Sequence, residues 1–168
     1  EEYLGGNHYL ENLMTLVFSS LQFNNSKSIR IYKNTLPKLK EALEEQILRD
    51  GGHEERSASY HICLLKRLVE TAIMIQVVKN NRPKWILFFI EKMLNWSKKV
   101  RLTNGKYPRF NDSFFSKDIK LDQIIILSES YLKEINLFKE ESFYFELFDS
   151  FLPKINLLKL KNFKFSFS

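Results

Sequence analysis

Apolar residues recur at intervals of three and four through most of the chain, and this spacing constrains the possible folds more than any other feature. It places apolar side chains on one face of a helix, which can then pack against a neighbouring helix. Gly and Pro are few, five and four in 168 residues, which argues against a turn-rich all-β fold. The pattern predicts helices over residues 7–23, 28–49, 57–79, 83–100 and 119–137.

Two local features refine the ends of these helices. Asn7 follows Gly5 and Gly6 and is predicted to be the N-cap of the first helix. Residues 28–49 form one helix or two, and in the second case Pro37 begins the second piece, because proline is tolerated in a first helical turn. The loops between segments are short and polar, so antiparallel helix pairs are the expected architecture.

The end of the chain follows a different pattern. Residues 143–152 are rich in aromatic side chains and fit neither period clearly, whereas residues 162–168 alternate strictly, with Phe at every second position. Strict alternation predicts a strand, and a strand at the last residue has no partner in view. We therefore expect an all-α domain over residues 1–140 and, over residues 141–168, a tail that is the possible start of a β region in a larger protein.

The charge and the cysteine count restrict the partners. A net charge of +6 suits an anionic partner, although a genome rich in Lys, Asn and Ile codons would produce the same balance. The lysine clusters lack the Arg-rich or aromatic-interleaved pattern of a nucleic-acid module, so no nucleic-acid partner is predicted. Cys63 is the single cysteine, which excludes an internal disulfide and a cysteine-based zinc cluster. No apolar run is long enough for a membrane span, and no metal or cofactor is predicted for this chain.

The three histidines, His8, His53 and His61, each lie at or near a predicted helix start. In an antiparallel array every second helix end faces the same side, so the helix starts that carry Asn7-His8 and Tyr60-His61 could line one cleft. Free N–H groups and the positive end of the helix dipole favour an anionic ligand there. A lone histidine is more often a cap or a surface residue, so the two pairs together are the informative pattern.

Other residues near these helix starts have alternative interpretations. Glu11 lies three residues after His8 on the same helix face, where it would either fix the tautomer of the imidazole or form a surface ion pair. Arg56 lies in a loop just before Tyr60 and would either hold a carboxylate with two hydrogen bonds or remain a solvated cation. The aromatic part of the fourth helix, from Trp85 to Trp96, could stack on sugars, but core packing is the favoured interpretation.

Three segments resemble blocks of the heparinase II/III-like polysaccharide lyases, which include heparin and heparan sulfate lyases and related alginate lyases. They are Asn7–Leu13, Asp50–His61 and Phe110–Ser113, and they occur in the family's order and at similar separations. The second segment is the most specific. It departs from the family in Glu54, where an aromatic residue is common, and in Ala58, where proline is common.

The resemblance implies an incomplete (α/α) toroid that is followed by a β-sandwich domain, which in the family supplies further active-site residues. It also implies a carbon–oxygen lyase that cleaves an acidic, uronate-containing polysaccharide by β-elimination, in the periplasm or outside the cell. Because the β-sandwich domain is missing, we expect this chain alone to be inactive. The implied catalytic residues are Asn7, His8 and Tyr60, and the implied substrate-binding or supporting residues are Glu11, His53, Arg56, His61 and Asn111.

Two alternatives remain open at this point. The chain could be a non-catalytic remnant that binds acidic glycans weakly or not at all. It could also be a helical module that binds nucleic acid or protein, a reading that only the basic charge supports.

Overall fold

Five α-helices form the described part of the chain, which comprises residues 6–114 and 120–133 of a computed structural model. No strand occurs among these residues, so the all-α prediction is confirmed for them. Residues 141–168, for which a possible β region was predicted, lie outside the described residues. The helices are α1 (Asn7–Ser20), α2 (Ser26–Gln46), α3 (Ala58–Lys79), α4 (Lys84–Val100) and α5 (Leu121–Leu132).

Side chains just before two of the helices satisfy free N–H groups in the first turn. The Asn25 side chain accepts from the N–H of Ser28 at 2.9 Å and begins α2. The Ser57 hydroxyl accepts from the N–H of Tyr60 at 3.5 Å and begins α3. Both helices therefore start where the sequence places a short polar side chain.

The structure corrects the predicted N-cap of the first helix and decides between the two alternatives for residues 28–49. Gly6, with a φ of 75°, is the N-cap of α1, and Asn7 is the first helical residue, because a carboxylate from a distant loop accepts its N–H. Pro37 lies inside a single continuous α2, so the one-helix alternative is confirmed and Pro37 does not begin a second helix. The buried stripe that includes Leu39 and Leu43 is packed along this helix, and burial of such side chains offsets the backbone hydrogen bond that proline cannot make.

The core is built around α3, which packs against α1, α4 and α5, while α2 packs against α1 and α4. Fifteen of the 22 residues of α3 are buried, so this helix is covered on most of its surface. Its side chains Ile62, Leu65, Leu68 and Ile75 are fully buried, and each contributes roughly 1.5–3 kcal/mol on leaving water. The (α/α) toroid implied by the resemblance stays a prediction.

Residues 47–57, here called the 47–57 loop, connect α2 to α3 and hold most of the second segment. The loop folds back on itself, since the N–H of Leu48 donates to the carbonyl of Gly52 at 2.8 Å and Ile47 forms an isolated bridge with His53. Gly51, with a φ of 95°, lies directly against the backbone carbonyl of Lys92 in α4. These contacts fix the loop beside the start of α3.

Among residues 6–114 and 120–133, no helix combines the length and apolar character that crossing a membrane requires.

Candidate functional site

Glu55 in the 47–57 loop joins the second segment to the first. One of its carboxylate oxygens accepts the backbone N–H of Asn7 at 2.7 Å, and the other accepts the side-chain amide of Asn7 at 3.1 Å. The carboxylate therefore caps α1, which has no side-chain cap of its own, and interacts favourably with the positive end of the helix dipole. Gly6 leaves room for this contact, because a Cβ at that position would lie 2.2 Å from the Glu55 oxygen.

Asn111 joins the third segment to the second. Its side-chain amide donates to the backbone carbonyl of Glu55 at 3.1 Å and to that of Arg56 at 3.3 Å. Arg56 and Asn111 both adopt positive φ angles, 53° and 50°, a region that non-glycine residues rarely occupy. The hydrogen bonds from Asn111 therefore satisfy two loop carbonyls that take part in no helix or sheet.

Ser113, also in the third segment, contacts the first turn of α3. Its hydroxyl oxygen accepts the N–H of Ala58 at 2.7 Å and lies 3.1 Å from the Ser57 hydroxyl. The next residue, Phe114, has its ring edge-on to Tyr60, with the centroids 6.0 Å apart. The helix start that carries Tyr60 is therefore held by side chains from more than fifty positions later in the chain.

His8 and Glu11 lie on the exposed side of the first turns of α1. His8 directly follows the clamped Asn7 and is exposed, whereas Glu11 is half-buried. The predicted pairing of these two side chains stays a prediction. The exposure of His8 leaves its ring free to meet a ligand from solution.

His53 is almost fully buried, at 1% exposure, and links α2 to the 47–57 loop. Its Nδ1 accepts the N–H of Glu55 at 3.3 Å, so its Nε2 carries the proton and donates to the Gln46 side-chain oxygen at 2.9 Å. Burial lowers the pKa of the His53 imidazole, and the charge of Glu55 opposes this effect. His53 is therefore neutral, and its Nδ1 holds the backbone of Glu55 in place.

His61 lies in the core rather than in a cleft, with no exposed surface. Its Nε2 donates to the backbone carbonyl of Met93 at 3.0 Å and lies 3.1 Å from the Ser97 hydroxyl. Its ring packs against Trp96 with the centroids 4.3 Å apart. Such burial prevents direct contact with a polysaccharide, so only a supporting role is compatible with this position.

The burial of His61 predicts a loss of stability in acid. Burial lowers its pKa to about 4, so the unfolded state binds a proton first as the pH falls below about 6.5. The stability is therefore complete above the unfolded pKa and falls by up to about 3 kcal/mol as the pH drops towards 4. Urea denaturation across this range should show the loss in the native protein. Burial of His53 adds to it in the same direction.

The matched variants for this prediction are His61→Gln and His8→Gln. His61→Gln removes the titrating ring, so its free energy of unfolding should depend less on pH than that of the native protein. His8→Gln changes an exposed ring and should keep the native pH dependence. An unchanged acid slope in His61→Gln would show that other groups cause the acid sensitivity.

A cleft of about 610 Å³ opens beside the 47–57 loop. Three of the residues predicted to bind or support a substrate line it, and Trp96 contributes an aromatic wall. This cleft is not lined by the implied catalytic residues Asn7, His8 and Tyr60. The polar and aromatic lining consists of Arg49, Asp50, His53, Arg56, Trp96, Phe110 and Asn111.

The cleft is nevertheless connected to the start of α1, which the Glu55 carboxylate holds. Asn111 lines the cleft and donates to the Glu55 carbonyl, while the Glu55 carboxylate holds Asn7. Gly52 helps to shape the cleft, because a Cβ there would lie 2.7 Å from the indole nitrogen of Trp96. The structure thus brings Asn7, Arg56 and Asn111 into one hydrogen-bonded unit through Glu55.

Sequence reasoning assigned no role to Glu55 or Ser113. The contact between Glu55 and Asn7 spans 48 positions, and the contact between Ser113 and Ala58 spans 55, so no local period indicates either one. Gly6 directly before the helix was the available sign, because glycine has no side chain that could cap a helix start.

Within the part of the chain that the structure describes, no three His, Cys, Asp or Glu side chains are grouped so that they could hold a metal ion.

Comparison with known families agrees with the three-segment pattern. Residues 2–141 match the family model described as Heparinase II/III N-terminus. No curated protein and no solved structure matches the chain. The family match covers most of the 168 residues, including all three segments and the clamp between Glu55 and Asn7. This chain therefore belongs to the heparinase II/III N-terminal family.

Proposed function

We propose that this chain carries part of the active site of a lyase that cleaves an acidic, uronate-containing polysaccharide by β-elimination. Family membership supports a protein related to polysaccharide lyases. The observation that carries the proposal is the convergence of the three segments. Glu55 and Asn111 tie the start of α1 to the 47–57 loop, and Ser113 holds the start of α3, where Tyr60 lies.

The chemistry of elimination explains why donors would be needed at the start of α1. A uronate carries a C5 proton next to a carboxylate whose negative charge opposes removal of that proton. Hydrogen bonds from Asn7 and His8 to this carboxylate would strengthen as charge develops on its oxygens. The side-chain amide of Asn7 donates one hydrogen to Glu55, and its second hydrogen is the proposed donor to the substrate carboxylate.

Tyr60 is the proposed proton-transfer residue. As a phenolate, Tyr60 would take the C5 proton and, as the phenol so formed, would donate it to the departing O4 oxygen. If Tyr60 began as a phenol, it would protonate O4, and a further side chain from the β-sandwich domain would take the C5 proton. In either case the C4–O4 bond breaks with its electron pair leaving on oxygen, and a double bond forms between C4 and C5. Tyr60 is half-buried, and the edge contact with Phe114 restricts the direction of its ring.

The cleft beside the 47–57 loop is the proposed binding surface for neighbouring sugars. Arg56 lies exposed at its edge and would bind a carboxylate with two parallel hydrogen bonds. Trp96 would offer an apolar face to a sugar ring, and His61 would support that indole from the core. Glu11 and His53 would act as supporting residues behind the donors.

A β-sandwich domain of the same protein is the proposed partner that completes this active site. The partner domain would supply a further catalytic side chain, so the described helices alone would be inactive. No cofactor is proposed for this chain, and a periplasmic or secreted location is proposed from the family.

The test of this proposal compares two forms of one polysaccharide. The intact protein should release unsaturated products, detected by their ultraviolet absorbance, from a glycosaminoglycan or alginate. It should release none from the same polymer after its uronate carboxyl groups have been reduced to alcohols, because the C5 proton then loses the acidity that elimination needs. Cleavage of both forms at equal rates, or saturated products from either, would contradict β-elimination.

A further inference from the structure

We infer that Glu55 is a positioning residue that sets the orientation of the Asn7 amide for the elimination, an inference that rests on the proposed function. The two oxygens of one carboxylate hold the backbone and the side chain of the same residue, at 2.7 Å and 3.1 Å. A contact at two points fixes both the position of Asn7 and the rotation of its side chain.

The charge of Glu55 also decides which end of the amide faces it. An ionised carboxylate only accepts hydrogen bonds, so it attracts the NH₂ group of Asn7 and repels the amide oxygen. The amide oxygen must therefore point away from Glu55. This oxygen is buried and has no hydrogen-bond partner among the described residues, although most buried polar atoms in proteins have one. Glu55 thus holds Asn7 in one of two amide orientations and leaves an unsatisfied acceptor.

Glu55 can act in this way because its own backbone is held on both sides. Its N–H donates to the Nδ1 of the buried His53, and its carbonyl accepts from Asn111. The carboxylate therefore projects towards α1 from a fixed point rather than from a mobile loop. The missing Cβ of Gly6 provides the space in which it contacts the helix start.

The neighbouring Glu54 provides a matched control. It has the same side chain, lies one position earlier in the loop and is exposed. Its backbone N–H donates to the Gln46 carbonyl at 2.9 Å, so its backbone is also anchored. Replacing either glutamate by glutamine removes one negative charge and leaves the size of the side chain unchanged.

In the intact protein, Glu55→Gln should lower kcat for polysaccharide elimination by about 10²-fold, the scale expected when a reacting group is misplaced by about 1 Å. KM should change much less, and Glu54→Gln should retain native kinetics. In an Asn7→Ala background, Glu55→Gln should cause no further loss of kcat, because residues that act as one unit are not additive. Native kcat in Glu55→Gln, or a full second loss in the double variant, would overturn the inference.

A second measurement does not depend on activity. The NMR signals of the Asn7 side-chain NH₂, assigned by their loss in Asn7→Ala, should shift in Glu55→Gln and stay in place in Glu54→Gln. Unshifted signals in a folded Glu55→Gln would show that Glu55 does not orient the amide. A native protein that is inactive on every acidic polysaccharide would instead overturn the proposed function, while the NMR signals would still decide the contact itself.

Discussion

Replacing Tyr60 by phenylalanine is expected to lower kcat for elimination by about 10³-fold, because proton transfer by a placed side chain typically contributes 10² to 10⁴. The change removes one oxygen atom and keeps the ring that packs edge-on to Phe114. The start of α3 should stay folded, since the backbone of Ala58 and Tyr60 bonds to serine hydroxyls and not to the phenol. Ultraviolet absorbance of the unsaturated product measures the loss, and the melting temperature checks the fold.

Tyr32→Phe is the matched control for this prediction. Tyr32 lies in α2, partly buried against the core, and its ring packs beneath the Lys79 ammonium group. Removing its hydroxyl should leave kcat at the native value. If Tyr60→Phe retained more than about a tenth of native kcat, the hydroxyl could not be the group that general acid–base catalysis requires.

Gly51→Ala should destabilise the fold by about 4 kcal/mol, the sum expected from a strained backbone and an overpacked contact. Gly51 has a φ of 95°, and a Cβ there would lie 2.2 Å from the carbonyl oxygen of Lys92. That oxygen belongs to the backbone of α4 and cannot move without moving the helix. Urea denaturation should show the loss as a lower midpoint with an unchanged slope.

Gly105→Ala separates the two causes of this effect. Gly105 also has a positive φ, 77°, but its added Cβ would meet only the ends of two side chains, those of Asp122 at 2.9 Å and Arg101 at 3.7 Å. It should therefore cost roughly 1–2 kcal/mol, the cost of the backbone conformation alone. Equal losses in the two variants would mean that the close approach of residue 51 to α4 adds no overpacking cost.

The fold class was predictable because it depends on local periodicity. Apolar residues at intervals of three and four lie on one face of a helix wherever that helix packs, so the all-α class followed without knowledge of any contact. The errors occurred where a distant group competed with the local pattern. Asn7 resembles an N-cap, but Gly6 is the N-cap, and Asn7 is the first helical residue, with its N–H accepted by the Glu55 carboxylate.

The order and chemistry of the three segments were also visible in the sequence, and the family match agrees with the resemblance drawn from them. The roles assigned to Asn7, His8 and Tyr60 stay predictions. What periodicity could not distinguish was exposure, because a histidine in the first turn of a helix can point to solvent or to the core. His8 is exposed, whereas His61 is buried against Trp96.

The sequence by itself determined that the described residues are mostly helical and which residue types stand at two helix starts. Only the tertiary structure decided that Glu55 holds Asn7 and that Asn111 and Ser113 hold the loop and helix before Tyr60. These contacts join residues 48 to 56 positions apart. Spacing along the chain indicates which face of one helix a residue occupies. Which distant residue it contacts depends on how the separate helices and loops pack together.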